Sequence, residues 1–401
     1  MGNPAPSNWM STTLDQLLSM ISVNDTKPES GLDLVVQEVA RQDVTPELIQ
    51  RWRDLESRSC HVNAFMSPEF LLPAWRYLEP DGNSFLITVE DRQSGRLTAL
   101  GCFQESPATR ELPLPHLMAA KTVHTFRTGM LLDNETASQT LDAWLVYIQR
   151  HLKWGGVVIP NLRLDSILAQ RIQAALRDRN LSWHPRVKGT SAAFFSPIVS
   201  AETVSEHLSA HRRKSLRQKQ RILEGWGPVR LRWIDHPDEV AQAIEQFLIL
   251  EDAGWKGVAG TSLKSETGAA DFLRSMATGF FERDRLVLTQ LLAGDHVVAS
   301  SVNLRGASTL FAFKIGWDPQ FAKTSPGMLH QNLLLPLVYE DFPDVTCLDS
   351  CARPGSFLEE IWPHRINVAD VIIPTSRMAS SALAAIDSVR YLKNQLKNLG
   401  K

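Results

Sequence analysis

FAFKIGWDPQFAKTSPGMLHQNLLLPL, residues 311–337, runs from a strand through a loop into the first turn of a helix. In the strand, alternation sets Leu310, Ala312 and Lys314 on one face and Phe311, Phe313 and Ile315 on the other, so Lys314 is expected opposite a dense aromatic surface. In the helix start, Ser325 suits the cap, Pro326 the first helical position, and Gly327 removes a Cβ that would obstruct a ligand. The N–H groups of Gly327, Met328 and Leu329 then form an expected cradle for phosphate oxygens, favoured by the positive end of the helix dipole. An ordinary capped helix is the competing reading.

Working outward, residues 286–315 read as a three-strand meander, LVLTQLL, VVASSVNL and TLFAFKI, joined by turns at AGDH and RGAS. Two amphipathic helices precede it, DEVAQAIEQFLILEDAG and GAADFLRSMATGFFERD, and strands VTCLDSCA and VADVIIP follow it, with a last helix from about Ser380. The first half has the same plan. Helix TPELIQRWRDLESRS leads to strands SFLITVED, LTALGCFQ and HTFRTGMLL, then helix, strand GGVVIPNL, helix, and SAAFFSPIV. Two halves with one order of elements point to a duplication and to a mixed α/β (α+β) class, each half a twisted mixed sheet flanked by helices. The expected division is a loosely ordered leader over 1–44, a first domain over 45–200 and a second over 201–401, the change falling between 195 and 210.

A length of 401 residues fits two domains. Lysines and arginines number 42 against 44 acids, a net charge of −2, so any anion site has to be local. That balance also argues against DNA as a partner and leaves RNA the weakest of the anionic candidates. No apolar run is long enough to span a bilayer, and the first 20 residues carry no Lys or Arg and lack a signal-peptide core, which together predict a cytoplasmic protein. Four cysteines are too sparse for a disulfide framework and read as reduced thiols. Nucleophile-elbow, Walker A and dinucleotide fingerprints do not occur in the sequence.

Basic residues concentrate in HLSAHRRKSLRQKQRIL (207–223), where Arg213 and Arg217 are candidates to hold an anionic acceptor, a CoA phosphate or RNA, against the plainer reading of a solvated face. His207 and His211 have a chelating spacing, but the surrounding cations disfavour a metal, and none is expected. Trp255 and Lys256, between Gly254 and Gly257, read as a substrate-facing loop or a packed turn.

Five segments, NAFMSPEFLLPAW (63–75), HRRKSLRQKQRILEGWG (211–227), GWKGVAGTSL (254–263), residues 311–329 and DSCARP (349–354), occur in an order and spacing that resembles the GNAT acyltransferase superfamily. Within it the chain is similar to the tandem-domain subgroup of CelD/BcsL-type acetyltransferases, related in fold to the FemABX enzymes. The resemblance implies two tandem GNAT folds and N-acyl transfer from acetyl-CoA or another acyl-CoA to an amine on a sugar, peptide or amino-acid-like acceptor, in polysaccharide or cell-wall metabolism. The superfamily's pyrophosphate loop, Arg/Gln-x-x-Gly-x-Gly/Ala, is here Ala322-x-x-Ser325-x-Gly327, so Lys314 and Lys323 are expected to supply the missing charge. Such a transfer needs a proton acceptor. Asp349, at a strand end, and then Glu251, at a helix end, are the expected bases, with a main-chain N–H around Ile315 to Trp317 for the oxyanion. Two other readings stay open: a FemABX-like transferase using aminoacyl-tRNA, and a catalytically inactive binding or regulatory protein. The acceptor and the oligomeric state are not specified by these residues.

Overall fold

The first helix begins where the Thr-Pro pair sets it. Thr45 Oγ1 accepts the Leu48 N–H at 3.2 Å, Pro46 opens helix α1 (Pro46–Arg58), and Leu48, Trp52 and Leu55 make its buried face. The computed structural model describes residues 32–195, 206 and 208–399, and from Leu34 onward the chain forms one packed unit.

Its first half continues β1 (Leu34–Val39), α1, α2 (Pro68–Pro73), β2 (Phe85–Asp91), β3 (Leu97–Ser106), β4 (His116–Ala119), β5 (Leu131–Leu132), α3 (Ala137–Arg150), β6 (Gly156–Arg163), α4 (Ile167–Asp178) and β7 (His184–Phe195). The second half holds α5 (Ala210–Glu224), β8 (Val229–Trp233), α6 (Pro237–Ala253), α7 (Trp255–Val258), α8 (Ala269–Phe281), β9 (Leu286–Ala293), β10 (His296–Gly306), β11 (Thr309–Trp317), α9 (Pro326–Asp341), β12 (Cys347–Asp349), β13 (His364–Pro374) and α10 (Arg377–Leu399). The mixed α/β class is as expected. Two details differ: Leu34–Val39, assigned to the leader on sequence, pairs with β2, and HTFRTGMLL is a loop apart from the two residues of β5. A turn in which Thr125 donates its N–H to the Thr122 carbonyl opens that segment in place of a strand.

The halves share one 13-stranded sheet in the order β1-β2-β3-β4-β6-β13-β7-β12-β11-β10-β9-β8, with β5 beside β3. They trade their last strands. β13 of the second half lies antiparallel to β6 of the first, and β7 of the first lies antiparallel to β12 of the second, while β7 and β13 pair from His364↔Ala193 to Ile372↔His184. One apolar cluster also spans the halves: Trp52, Phe65 and Phe70 pack with Phe272, Phe280, Phe311 and Phe313, several as edge-to-face pairs with centroids 5.1–5.5 Å apart. A buried ion pair reinforces it, Arg285 donating through both Nη atoms to Glu56 at 2.8 Å. Gly268 has φ +74°, and a Cβ there would lie 2.0 Å from the Tyr77 carbonyl oxygen, so only glycine lets α8 start against the first half.

Candidate active site

A wedge opens beside β11. Parallel pairing with β12 runs only from Thr309↔Cys347 to Phe311↔Asp349, so from Ala312 to Trp317 that edge of β11 has no paired strand among the described residues. On its other edge β11 pairs with β10 through a bulge: Val302 faces Lys314, Asn303 faces Ala312, and Phe313 is left without a partner. The bulge reverses the expected alternation. Phe313 packs in the cluster that includes α6 and α8; past it, Ile315 and Trp317 approach Gly327 on α9, while a Cβ on Gly316 would meet the Glu251 main chain of α6 at 2.7 Å. Lys314 therefore lies beside the aromatic face rather than opposite it, its Nζ 5.9 Å from the Phe313 ring centroid.

Around Lys314 the two halves contribute a cluster of ionisable groups. Burial first, and then Lys256, push the Lys314 ammonium down to about 8, with Glu251 and Glu266 opposing the shift. Glu251 is buried, accepting from Lys256 Nζ and from the Leu263 N–H, each at 2.8 Å. From the first half comes His124, its ring stacked on Phe272 at 5.7 Å and its Nε2 3.3 Å from Glu266 Oε2. Burial, then Lys314 and Lys256, push His124 down to about 3, so it is neutral at physiological pH.

Neither expected base is free to act as one. Asp349 is fully buried and accepts from Arg127 Nε at 2.8 Å, from Arg127 Nη2 at 2.6 Å and from the Cys351 N–H at 2.8 Å. Burial works to raise its pKa, but the Arg127 charge and these hydrogen bonds outweigh it and hold Asp349 below the ordinary carboxylate range. Its role is to clamp Arg127 of the first half onto β12 of the second. Glu251, with both oxygens occupied, anchors Lys256 and the Leu263 main chain.

The expected phosphate cradle is also narrower than its sequence suggests. Ser325 takes a left-handed conformation, φ 49°, and its carbonyl accepts the N–H groups of Met328 at 3.0 Å and Leu329 at 3.1 Å. Of the three amides, only that of Gly327 has no such main-chain acceptor, and Gly327 is buried near Ile315, Trp317 and Phe357. Basic residues flank this turn: Lys219 of α5 donates to Ser325 Oγ at 2.7 Å, and Lys323 is exposed on the 3-10 turn before it. Arg213 donates to the Leu208 carbonyl at its own helix start, Arg217 is exposed, and Trp255 belongs to the short α7. His207 lies outside the described residues.

A cavity of about 670 Å³ adjoins the wedge. The 121–127 loop, β7 and residues 351–354 line it, so both halves contribute. Phe126 forms part of its wall and packs on Phe313 at 5.6 Å, one ring away from the bulge. Sequence reading assigned no role to His124, Arg127 or the basic residues of this cavity. Their one signal was a His and an Arg inside the apolar-looking HTFRTG, positions that are buried, at 3% and 5% exposure, without belonging to a strand.

The groups present fit an acyl-CoA only in part. The unpaired edge of β11 suits an extended pantetheine arm, whereas the diphosphate would have one main-chain amide and the side chains of Lys219 and Lys323.

Residues 210–350 match the family model described as an acetyltransferase (GNAT) domain. The crystal structure of FemX superposes with a TM-score of 0.53 at 8% identity, over 84% of this chain and 96% of that one. A conserved protein of unknown function from Bacteroides thetaiotaomicron superposes with a TM-score of 0.51 at 11% identity, over 86% of this chain and all of that one. No curated protein matches the sequence. At such identities the structural likeness is one of fold, and the match to an acetyltransferase (GNAT) domain concerns residues 210–350.

Proposed function

We propose, from the GNAT domain in residues 210–350, that the protein is an N-acyltransferase moving an acyl group from acyl-CoA to an amine acceptor seated at the junction of the halves. The observation that carries this reading is the placement of Lys314, a lysine with a pKa near 8, beside the bulge where β11 parts from β12. Acyl-CoA, when bound, supplies an acyl carbon activated as a thioester. The rest falls to the protein. An attacking ammonium has to lose a proton, and neutral Lys314, a large fraction of the population near pH 8, takes it up; a base so placed contributes about 10²- to 10⁴-fold. Main-chain N–H groups on the open edge of β11, between Ala312 and Trp317, are positioned for the carbonyl oxygen as it gains charge. The new bond joins nitrogen to the acyl carbon and the bond from that carbon to sulfur breaks; of the two protons the nitrogen gives up, one protonates the departing thiolate and the other passes from Lys314 to solvent. Alignment of both reactants across the wedge supplies much of the remaining acceleration.

Calorimetric titration with acetyl-CoA tests the donor. Saturable binding is expected, and no heat at millimolar ligand would overturn it. A second reading, an aminoacyl-tRNA donor, is favoured by one observation: Lys214, Arg217 and Arg221 on α5 make no ion pair among the described residues. Ribonuclease-sensitive transfer would replace the first reading with this one.

A further inference from the structure

Among the residues lining the junction cavity four are basic, Lys121, Arg127, Lys188 and Arg353, and none is acidic. Two of these charges are already answered. Arg127 is held by Asp349, and Lys188 reaches Asp370 at 2.8 Å and Asn161 Oδ1 at 3.1 Å. Lys121 and Arg353 have no ion-pair partner among the described residues. The cavity thus holds an excess of two positive charges in a chain whose net charge is −2. A carboxylate brings one negative charge; a phosphate monoester brings about 1.5 to 2 at neutral pH, with three acceptor oxygens to share among ammonium and guanidinium donors. Lys121 reaches solvent, but partial desolvation at the cavity wall, and then Lys188 and Arg353, lower its pKa against the opposing pull of Asp370, the behaviour of cations crowded round a shared space.

Position adds to charge. Phe126 separates the cavity from Phe313, and Lys314 lies just beyond it. Phe126 is thus shared between the cavity wall and the aromatic cluster next to Lys314.

We infer that the junction cavity binds a phosphate group on the acceptor, with Lys121 and Arg353 as its free cations and Lys188 beside them. This rests on the acyltransferase reading for the word acceptor, but the phosphate site itself is separately testable. The acceptor class is an amine that also carries a phosphate, whether a small phosphomonoester or a nucleotide-linked compound.

The test uses the full chain and three probes at constant ionic strength: inorganic phosphate, phosphoethanolamine against ethanolamine, and uridine diphosphate. Each is titrated into the parent protein and into a K121A/R353A double variant, whose changes are at exposed side chains. Phosphate and phosphoethanolamine are expected to bind the parent, ethanolamine not, and the double variant to bind at least tenfold more weakly while keeping its acetyl-CoA affinity. Tighter binding of uridine diphosphate than of phosphoethanolamine assigns the nucleotide-linked class, and the reverse order the small phosphomonoester. Failure of phosphate to bind the parent, or equal binding by parent and variant, overturns the inference. Loss of acetyl-CoA binding alone, with phosphate binding intact and dependent on these two residues, removes the donor reading and leaves the phosphate site standing.

Discussion

Replacing Lys314 by methionine removes a charge from a crowded, half-buried place and keeps a flexible chain of similar bulk. The ammonium titrates near 8 in the fold and at 10.5 when unperturbed, so keeping it protonated costs about 3 kcal/mol at pH 7, at about 1.36 kcal/mol per pH unit. Because the folded value lies below the unfolded one, this cost is complete below pH 8 and fades as the pH rises toward 10.5. At pH 9 about 2 kcal/mol remains by the same relation. Other titrating groups are common to both proteins and largely cancel in the difference. Urea unfolding at constant ionic strength should therefore show the advantage of Lys314→Met shrinking by about 1 kcal/mol between pH 7 and pH 9. In the transfer assay the parent's kcat/KM should rise with pH through an inflexion near 8 that the variant lacks, with a rate about 10²- to 10⁴-fold lower. A stability difference that does not change with pH would refute the assigned ionisation, and an unchanged inflexion would remove Lys314 from the proton transfer.

Arg127→Met leaves Asp349 buried and uncompensated and should cost about 3–5 kcal/mol in denaturant unfolding, much of it recovered when Asp349→Leu is added. Gly327→Ala places a methyl no nearer than 3.5 Å to Trp317, so stability should stay within about 1 kcal/mol of the parent, while calorimetry should show acetyl-CoA affinity falling tenfold or more; equal affinity would exclude Gly327 from the donor site. Gly268→Ala drives a methyl onto the Tyr77 carbonyl at a positive φ and should lower stability by more than about 1 kcal/mol, measured by thermal unfolding with catalytic residues untouched.

Local signals in the sequence carried much of this molecule. The Thr45-Pro46 start of α1 and the 286–315 meander appear where cap chemistry and alternation put them, and α9 opens at Pro326 as expected, although the Ser325 side chain makes no cap hydrogen bond and accepts from Lys219 instead. What escaped depends on long-range partners. Lys314 changes sides because one residue is inserted in β11 relative to β10, and strict alternation has no mark for a bulge. Asp349 is a structural anion because Arg127, 222 positions earlier in the chain, folds onto it. The loop carrying His124 and Arg127 has the composition of a strand, and only its Thr122–Thr125 turn and its tertiary contacts make it otherwise. Met328 and Leu329 were expected to offer free amides, but the first turn of α9 satisfies them internally through the Ser325 carbonyl.

The placement of β7 has a consequence for how the protein is made. Both its neighbours, β12 and β13, are encoded beyond residue 346, so when the first half leaves the ribosome its final strand has neither flank to join. β6 waits likewise for β13. Until translation passes Pro374 the nascent chain carries bare strand edges in its middle, the kind of surface that chaperones cover and that seeds misassembly between copies. Shortened products ending ahead of residue 364 should accordingly accumulate as insoluble material even though they contain every residue of the first half.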